Sequence, residues 1–435
     1  MHLWFILIIY NLLFPIVFLS LLPGYLIKVF RRGNYKNSFG ERLGFFSLDK
    51  EKKLSQLERP IWIHAVSVGE VNVAKKFIES LKQIYPNHSI VLSTTTPTGY
   101  SIASGSKADL VFYQPLDFFF IINRVFKLID PSCLVLTEAE VWPNLVNKAH
   151  KKRVEVSLIN ARLSNRSRKR FEKYSFLTSP VLKLLRRVCI QEESDRKVWV
   201  KLGVSSDKIF FTGSIKFDRE NIDSHIEIEE FRNLLKELFR GKQRSVLLAG
   251  STHPGEELMI ARKFKKLKQD FPDLFYMVAP RHVERCKILF EELSKEGLKA
   301  ELRSQLDYEQ SNQKNSNVID CLIIDTTGEL NVWYHLSDIV IIGKSFLSHG
   351  GQNPVEPIFA GKPVIVGPHM ENFTALVSLL NKYEGISQID DSEMLIQSIS
   401  EMLYRPETAD KMVIRANEAL SCHQGASERT VKLII

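Results

Sequence analysis

The sequence predicts an α/β protein built from two doubly wound parallel sheets in tandem, preceded by an N-terminal anchor helix. Three observations carry this. From Pro60 onward, short apolar, β-branched runs alternate with amphipathic stretches, as buried parallel strands alternate with their crossover helices. A charged, strand-free stretch, Ile222 to Lys242, splits that alternation into two series. From Leu3 to Ile27 there are 25 residues without a formal charge. The 435 residues, 44% apolar and 25% charged, are enough for two or three cores and exclude a disordered or collagen-like chain.

The first element is that uncharged run. As a helix, rising about 1.5 Å per residue, it is long enough to cross a bilayer. Lys28, Arg31, Arg32 and Lys36 follow at once. By the positive-inside rule they leave the body of the protein in the cytoplasm, on a single N-terminal anchor of residues 1–30. Met1 and His2 supply no basic n-region and no small-x-small site precedes the basic run, which argues against a cleaved signal peptide. Pro15 and Pro23 disfavour a straight span, so a helix lying in the interface stands as the other reading.

The first series of strands is read at Ile61 to Val66, Ser89 to Thr94, Ala108 to Tyr113, Cys133 to Thr137, Val154 to Asn160, Val188 to Gln191 and Ile209 to Thr212. The second is read at Ser245 to Ala249, Phe275 to Ala279, Cys321 to Asp325, Ile339 to Ile342 and Pro363 to Val366, with the polar run Ser304 to Asn317 as a surface loop. Residues 31–220 and 221–435 are thus expected to be separate domains, the last helix being a candidate to pack back on the first. In such sheets ligands bind outside the carboxyl ends of the strands.

Charge is unevenly distributed. The net charge is +9, yet Lys151 to Arg187 holds twelve Lys or Arg against Glu155 and Glu172, an excess of +10. Such a belt fits an anionic membrane surface or a phosphorylated partner, and also an ordinary solvated face. Five cysteines are scattered without a CxxC, as in a reduced protein with no structural zinc.

Chemistry is sought at the strand ends. The first strand ends in His64-Ala65-Val66-Ser67-Val68-Gly69-Glu70, and Glu70 opens a helix, where a carboxylate either serves as general base or complements the helix dipole. Glu138 and Glu140 follow the fourth strand beside Trp142. In the second series Ser251-Thr252-His253, Pro280-Arg281-His282, Thr327-Gly328-Glu329 and Asn353-Pro354-Val355-Glu356 occupy four strand ends, favouring a nucleotide ligand held by backbone N–H groups and a forked guanidinium. No Walker-A pattern, no GxGxxG after a strand and no DxD pair occurs, so neither a P-loop nor a metal-held sugar diphosphate is indicated.

The ordered motifs HAVSVGE, TEAEVWPNL, NARLSNRS, GSIKFD, AGSTHPGEE, APRH, DTTGEL and HGGQNPVEP resemble the membrane-anchored 3-deoxy-D-manno-octulosonic acid (Kdo) transferases of lipid A biosynthesis, over nearly the whole chain. The resemblance implies the GT-B fold, two Rossmann-like domains facing a central cleft. It further implies inverting transfer from CMP-Kdo to a lipid A precursor (lipid IVA), at the inner membrane and without a metal or other cofactor.

Carried over by position, Glu70 is the general base, and Glu138 and Lys216 stabilise the transition state. Pro280, Arg281, Thr327, Gly328, Glu329, Asn353, Pro354, Val355 and Glu356 would hold CMP, with Ser251, Thr252 and His253 as further candidates. Arg162, Arg166, Arg168, Lys169 and Arg170 would meet acceptor phosphates and anionic lipid. Neither nucleic acid nor a protein partner is implied. The chain departs from the family where Gln352 replaces His, Lys344 replaces Gly and Ser214 replaces Asn. A GT-B transferase using another nucleotide sugar on a membrane lipid is the alternative. A tethered basic module would need only the anchor and the belt, and would leave the strand-end motifs unexplained.

Overall fold

The computed structural model describes residues 3–32, 39–163, 165–218, 225–309 and 319–435, with backbone alone at 21–32, 165, 166, 225–227 and 307–309. The chain divides into two compact units, Met1–Asp218 with Cys422–Ile435, and Arg219–Ser421.

The first unit is built on seven parallel strands: β1 (Ile61–Ala65), β2 (Ile90–Thr94), β3 (Leu110–Tyr113), β4 (Cys133–Thr137), β5 (Glu155–Ala161), β6 (Arg187–Ile190) and β7 (Ile209–Phe211). Their order is β3-β2-β1-β4-β5-β6-β7. The order reverses between β1 and β4, and that switch point is where a doubly wound sheet opens a crevice. Both faces are covered, which is why the strands read as continuous apolar runs. Trp62, Leu134, Leu136 and Leu158 pack on one side, and Ile61, Ile63, Leu92 and Val135 on the other.

The helix Leu3–Arg32 is continuous through Pro15 and Pro23, so neither proline ends it. Its Leu3–Ser20 window has a mean hydropathy of 2.3, enough in length and composition to cross a membrane. One side of it is nevertheless docked on the unit. Ile6 is buried, Asn11 and Asn144 exchange amide hydrogen bonds of 3.0 and 2.9 Å, and Phe14 and Phe18 meet Phe118. Trp4, Phe5, Ile8, Leu12, Leu13 and Ile16 point away, exposed.

The second unit has its own seven parallel strands: β8 (Ser245–Thr252), β9 (Leu274–Pro280), β10 (Ala300–Leu302), β11 (Cys321–Ile323), β12 (Ile339–Ile342), β13 (Val364–Val366) and β14 (Ser387–Gln388), in the order β10-β11-β9-β8-β12-β13-β14. Here the switch point lies between β8 and β12. The edge strands β10 and β14 have no counterpart in the sequence reading. At three and two residues they are too short for any alternation to register. Arg303–Glu309 is helical where a loop is read, and residues 310–317 of that run lie outside the described residues.

Candidate active site

In the first unit the helix Val68–Ile84 begins directly after β1. Ser67 caps it, its hydroxyl oxygen accepting the Glu70 N–H at 3.3 Å. Glu70 reaches back, as the third residue of a capping box does. Its carboxylate is buried and accepts from the Val66 N–H (3.0 Å), the Ser67 hydroxyl (2.9 Å) and the Thr137 hydroxyl (2.9 Å). A carboxylate offers about four lone-pair directions, so one remains free for a further proton. Glu70 thus serves the helix end, and its carboxylate is held at the switch point of the sheet.

Thr137 ends β4, and Glu138 follows in the left-handed region (φ 52°), which turns the chain sharply at the strand end. Glu138 Oε1 lies 2.5 Å from the Lys216 ammonium. Lys216 rides on the turn Ile215–Phe217, pinned by Asn160, whose Oδ1 accepts the Ile215 N–H at 3.0 Å, and by His423, whose Nδ1 accepts the Ser214 N–H at 3.1 Å. The same ammonium is 3.9 Å from where a Cβ would stand on Gly69, over the amino end of the Glu70 helix. A positive helix end and an ammonium thus face one another, a natural seat for an anion.

Glu140 joins this group. Burial and the neighbouring Glu70 and Glu138 charges push its carboxyl up to about 7. Asp218, in the same motif as Lys216, has a structural task. Its two oxygens accept the Gly425 and Ser427 N–H groups at 2.7 Å, holding the C-terminal helix Ala426–Ile434 on the unit.

In the second unit a cavity of about 300 Å³ is lined by Ser251, Arg281, Gly328, Leu330, Asn331, Tyr334, Gln352, Asn353 and Glu356. Six of these, Gln352 among them, are residues singled out in the sequence. Gly250 is required beneath them, because a Cβ there would sit 2.8 Å from the Tyr334 hydroxyl. Asn353 donates to Glu356 at 3.0 Å and accepts the Val355 N–H at 3.1 Å, so the two side chains present themselves as a pair.

The other residues singled out in this unit do not line the cavity. Thr252 is buried and donates to Glu257 (3.1 Å), Pro354 and Val355 are buried, and Glu329 accepts from Thr326 and Trp333. His253 approaches Gln352 at 3.4 Å, so the residue that departs from the family both lines the cavity and touches a histidine. The backbone N–H groups around His253 are in part already engaged: buried Glu256 accepts from His253 (2.9 Å), Lys344 (2.6 Å) and Phe346 (3.0 Å). Lys344 stands at φ 58°, a conformation that glycine adopts without strain.

The basic stretch Lys151 to Arg187 is not one face. Arg153 precedes β5 and Arg162 follows it, so they are separated by about 20 Å of strand. Arg162, Arg168, Lys169 and Arg170 are exposed near the carboxyl end, Arg168 pairing with Glu172 at 3.1 Å, and the Arg166 side chain lies outside the described ones. Arg153, Lys183, Arg186 and Lys208 instead line a cavity of about 270 Å³ at the amino edge, with Glu155 among them.

Two parallel doubly wound units, each with polar side chains gathered at a strand-order switch point, make the two-domain architecture of the GT-B class. A UDP-GlcNAc 2-epimerase from Neisseria meningitidis shares the fold, with a TM-score of 0.53 over 86% of this chain and 98% of its own at 16% identity. The family described as 3-deoxy-D-manno-octulosonic-acid transferase (kdotransferase) matches residues 37–219. The 3-deoxy-D-manno-octulosonic acid transferase of Haemophilus influenzae is 31% identical over 404 residues, 92% of this chain and 91% of its own. That of Chlamydophila psittaci is 28% identical over 426 residues, 97% of this chain and 94% of its own. The chain belongs to the 3-deoxy-D-manno-octulosonic acid transferase family.

Proposed function

We propose that this protein transfers Kdo from CMP-Kdo to a sugar hydroxyl of a lipid A precursor, with inversion and without a catalytic metal. The carrying observation is that family likeness extends over both units while Glu70, Glu138 and Lys216 converge at the switch point of the first.

In this reading Glu70 takes the acceptor hydroxyl proton on its remaining lone pair as that oxygen forms a bond to the anomeric carbon. The bond from that carbon to the CMP phosphate breaks, and its electron pair leaves with the phosphate oxygen. Lys216 and the amino end of the Glu70 helix balance the negative charge in flight, the task a metal performs in other transferases. Glu138 fixes the ammonium, and Glu140, its carboxyl raised by burial and by the two neighbouring charges, adds a group that can hold a proton beside them. Arg281 holds the nucleotide phosphate, while Ser251, Gly328, Asn353 and Glu356 hold the ribose and base.

The acceptor's acyl chains call for a membrane surface. Phe119 and Phe120 are exposed beside Phe118, which packs on the anchor, and Arg162 to Arg170 offer cations for phosphates. We place the anchor in the inner membrane with both units on the cytoplasmic side, in line with the basic residues that follow it.

Thermal unfolding with nucleotides tests the donor assignment. CMP should raise the midpoint in the parent and, at the same concentration, raise it less in Arg281→Ala, and UDP should leave both unmoved. Protection by UDP instead would transfer the reading to a nucleoside-diphosphate sugar.

A further inference from the structure

The loops after β12 and β13 bring together three side chains that no step of the transfer uses. His349 Nδ1 lies 2.8 Å from Glu371 Oε1, and His369 Nδ1 lies 3.5 Å from the same oxygen. One ligand atom from each of the three residues falls within 4.8 Å of the others, and the imidazole centroids are 4.2 Å apart. The carboxylate is aimed: Glu371 Oε2 accepts the Gly350 N–H at 2.6 Å, which turns Oε1 toward the histidines. The two loops are also tied through their backbones, Asn372 N–H to Gly350 carbonyl (3.1 Å) and His369 N–H to Ser345 carbonyl (3.0 Å).

These separations match a metal-binding arrangement. Ligand bonds of about 2.0–2.2 Å in a tetrahedral shell put neighbouring donor atoms about 3.4 Å apart, close to the 3.5 Å between His369 and Glu371, whereas the 2.8 Å between His349 and Glu371 is a hydrogen bond whose proton an ion would replace as the two side chains part slightly. Two imidazoles and one carboxylate suit zinc and its transition-metal neighbours. Magnesium and calcium call for shells of six or more oxygens. The hydrogen bond from Gly350 is the outer-shell support such a site needs.

We propose that His349, His369 and Glu371 form a binding site for a divalent transition-metal ion of the zinc class, with water completing the shell. Its place in the chain gives it a consequence. Gln352 and Asn353 follow His349 by three and four residues and line the cavity of this unit. An ion joining His349 to the β13 loop would therefore stiffen the wall that carries them. Metal binding stands apart from the transferase reading; only this coupling rests on it.

The test uses the full chain in detergent, stripped with a chelator and titrated with Zn²⁺ by calorimetry and with Co²⁺ by visible absorption. The parent should bind one ion per chain, with Co²⁺ giving the intense bands of a tetrahedral site and Mg²⁺ in excess failing to compete. His349→Ala and His369→Ala should each weaken Zn²⁺ by more than about tenfold. Both should keep the metal-free unfolding midpoint of the parent while losing the rise that Zn²⁺ produces in it. Absence of saturable binding, or equal affinity in the double His349→Ala/His369→Ala protein, would overturn the site. A CMP affinity that Zn²⁺ changes in the parent and not in the double variant supports the coupling, and one unchanged in both overturns the coupling alone.

Discussion

The Lys216 ammonium lies 2.5 Å from Glu138, on a turn that Asn160 and His423 fix from two sides. The carboxylate sets where the positive charge stands, and the two pins keep the turn from relaxing. Lys216→Ala should lower the turnover number by about 10²- to 10³-fold, as loss of one charge-stabilising group does. CMP affinity should stay near the parent value, because the nucleotide contacts proposed above are residues of the other unit. Steady-state kinetics beside CMP calorimetry checks the split.

Glu140 supplies the pH signature. Its carboxyl, pushed up to about 7 by burial and by Glu70 and Glu138, gains a charge as pH rises through neutrality. The activity profile of the parent should bend near pH 7. Glu140→Gln should lose that inflection while keeping measurable transfer, and an identical bend in the variant would remove Glu140 from the proton count.

Arg281 and Asn353 both line the cavity of the second unit. Hydrogen bonds to a charged phosphate are worth about 1.5–3 kcal/mol, so Arg281→Ala should weaken CMP roughly 10- to 100-fold. Asn353→Ala should weaken it less directly, by removing the hydrogen bond through which Asn353 helps orient the Glu356 carboxylate. Calorimetric titration with CMP measures both.

Asp117 couples stability to pH. Its carboxyl, caught between the Asn144 and Leu145 N–H groups (2.9 Å each), is pushed up to about 7 by burial. Between about pH 4 and 7 the folded protein therefore binds a proton that the unfolded chain has lost, and stability contributed by this group falls as pH rises. Relative to the parent, Asp117→Asn should gain roughly 1 kcal/mol per pH unit across that window. His64 and His423, each lowered to about 4 by burial, act in the opposite sense, so the slope is read as a difference between the two proteins in urea unfolding.

Much of this architecture was legible because each central strand is buried on both faces, which makes its sequence a continuous apolar run flanked by turn residues. Trp62 and Ile63 illustrate it, pointing to opposite sides of one sheet and both fully buried. Ala300–Leu302 and Ser387–Gln388 escaped notice because edge pairing leaves almost no mark on so short a segment. Strand ends located Glu70, Glu138 and Arg281, yet composition does not reveal whether a strand-end side chain faces a cavity or caps a helix. Thr252, Glu256 and Glu329 turn inward to hold backbone and neighbouring side chains. The basic run Lys151 to Arg187 reads as one belt only while β5 is ignored, since the strand carries Arg162 and Arg168 to its carboxyl end while Arg153 and Arg186 line one cavity at the amino edge. His349 and Glu371, 22 residues apart, meet only because β12 and β13 are neighbours.

The most direct test of the central claim is one incubation of the detergent-solubilised full chain with freshly generated CMP-Kdo and a tetra-acylated lipid A precursor, with product masses read out beside Glu70→Gln. Addition of one or more Kdo masses by the parent, and none by a folded Glu70→Gln protein that still binds CMP, is the predicted result. Transfer by Glu70→Gln at the parent rate would contradict the assignment of the base, and an unmodified lipid with the parent, CMP binding intact, would contradict the assigned reaction.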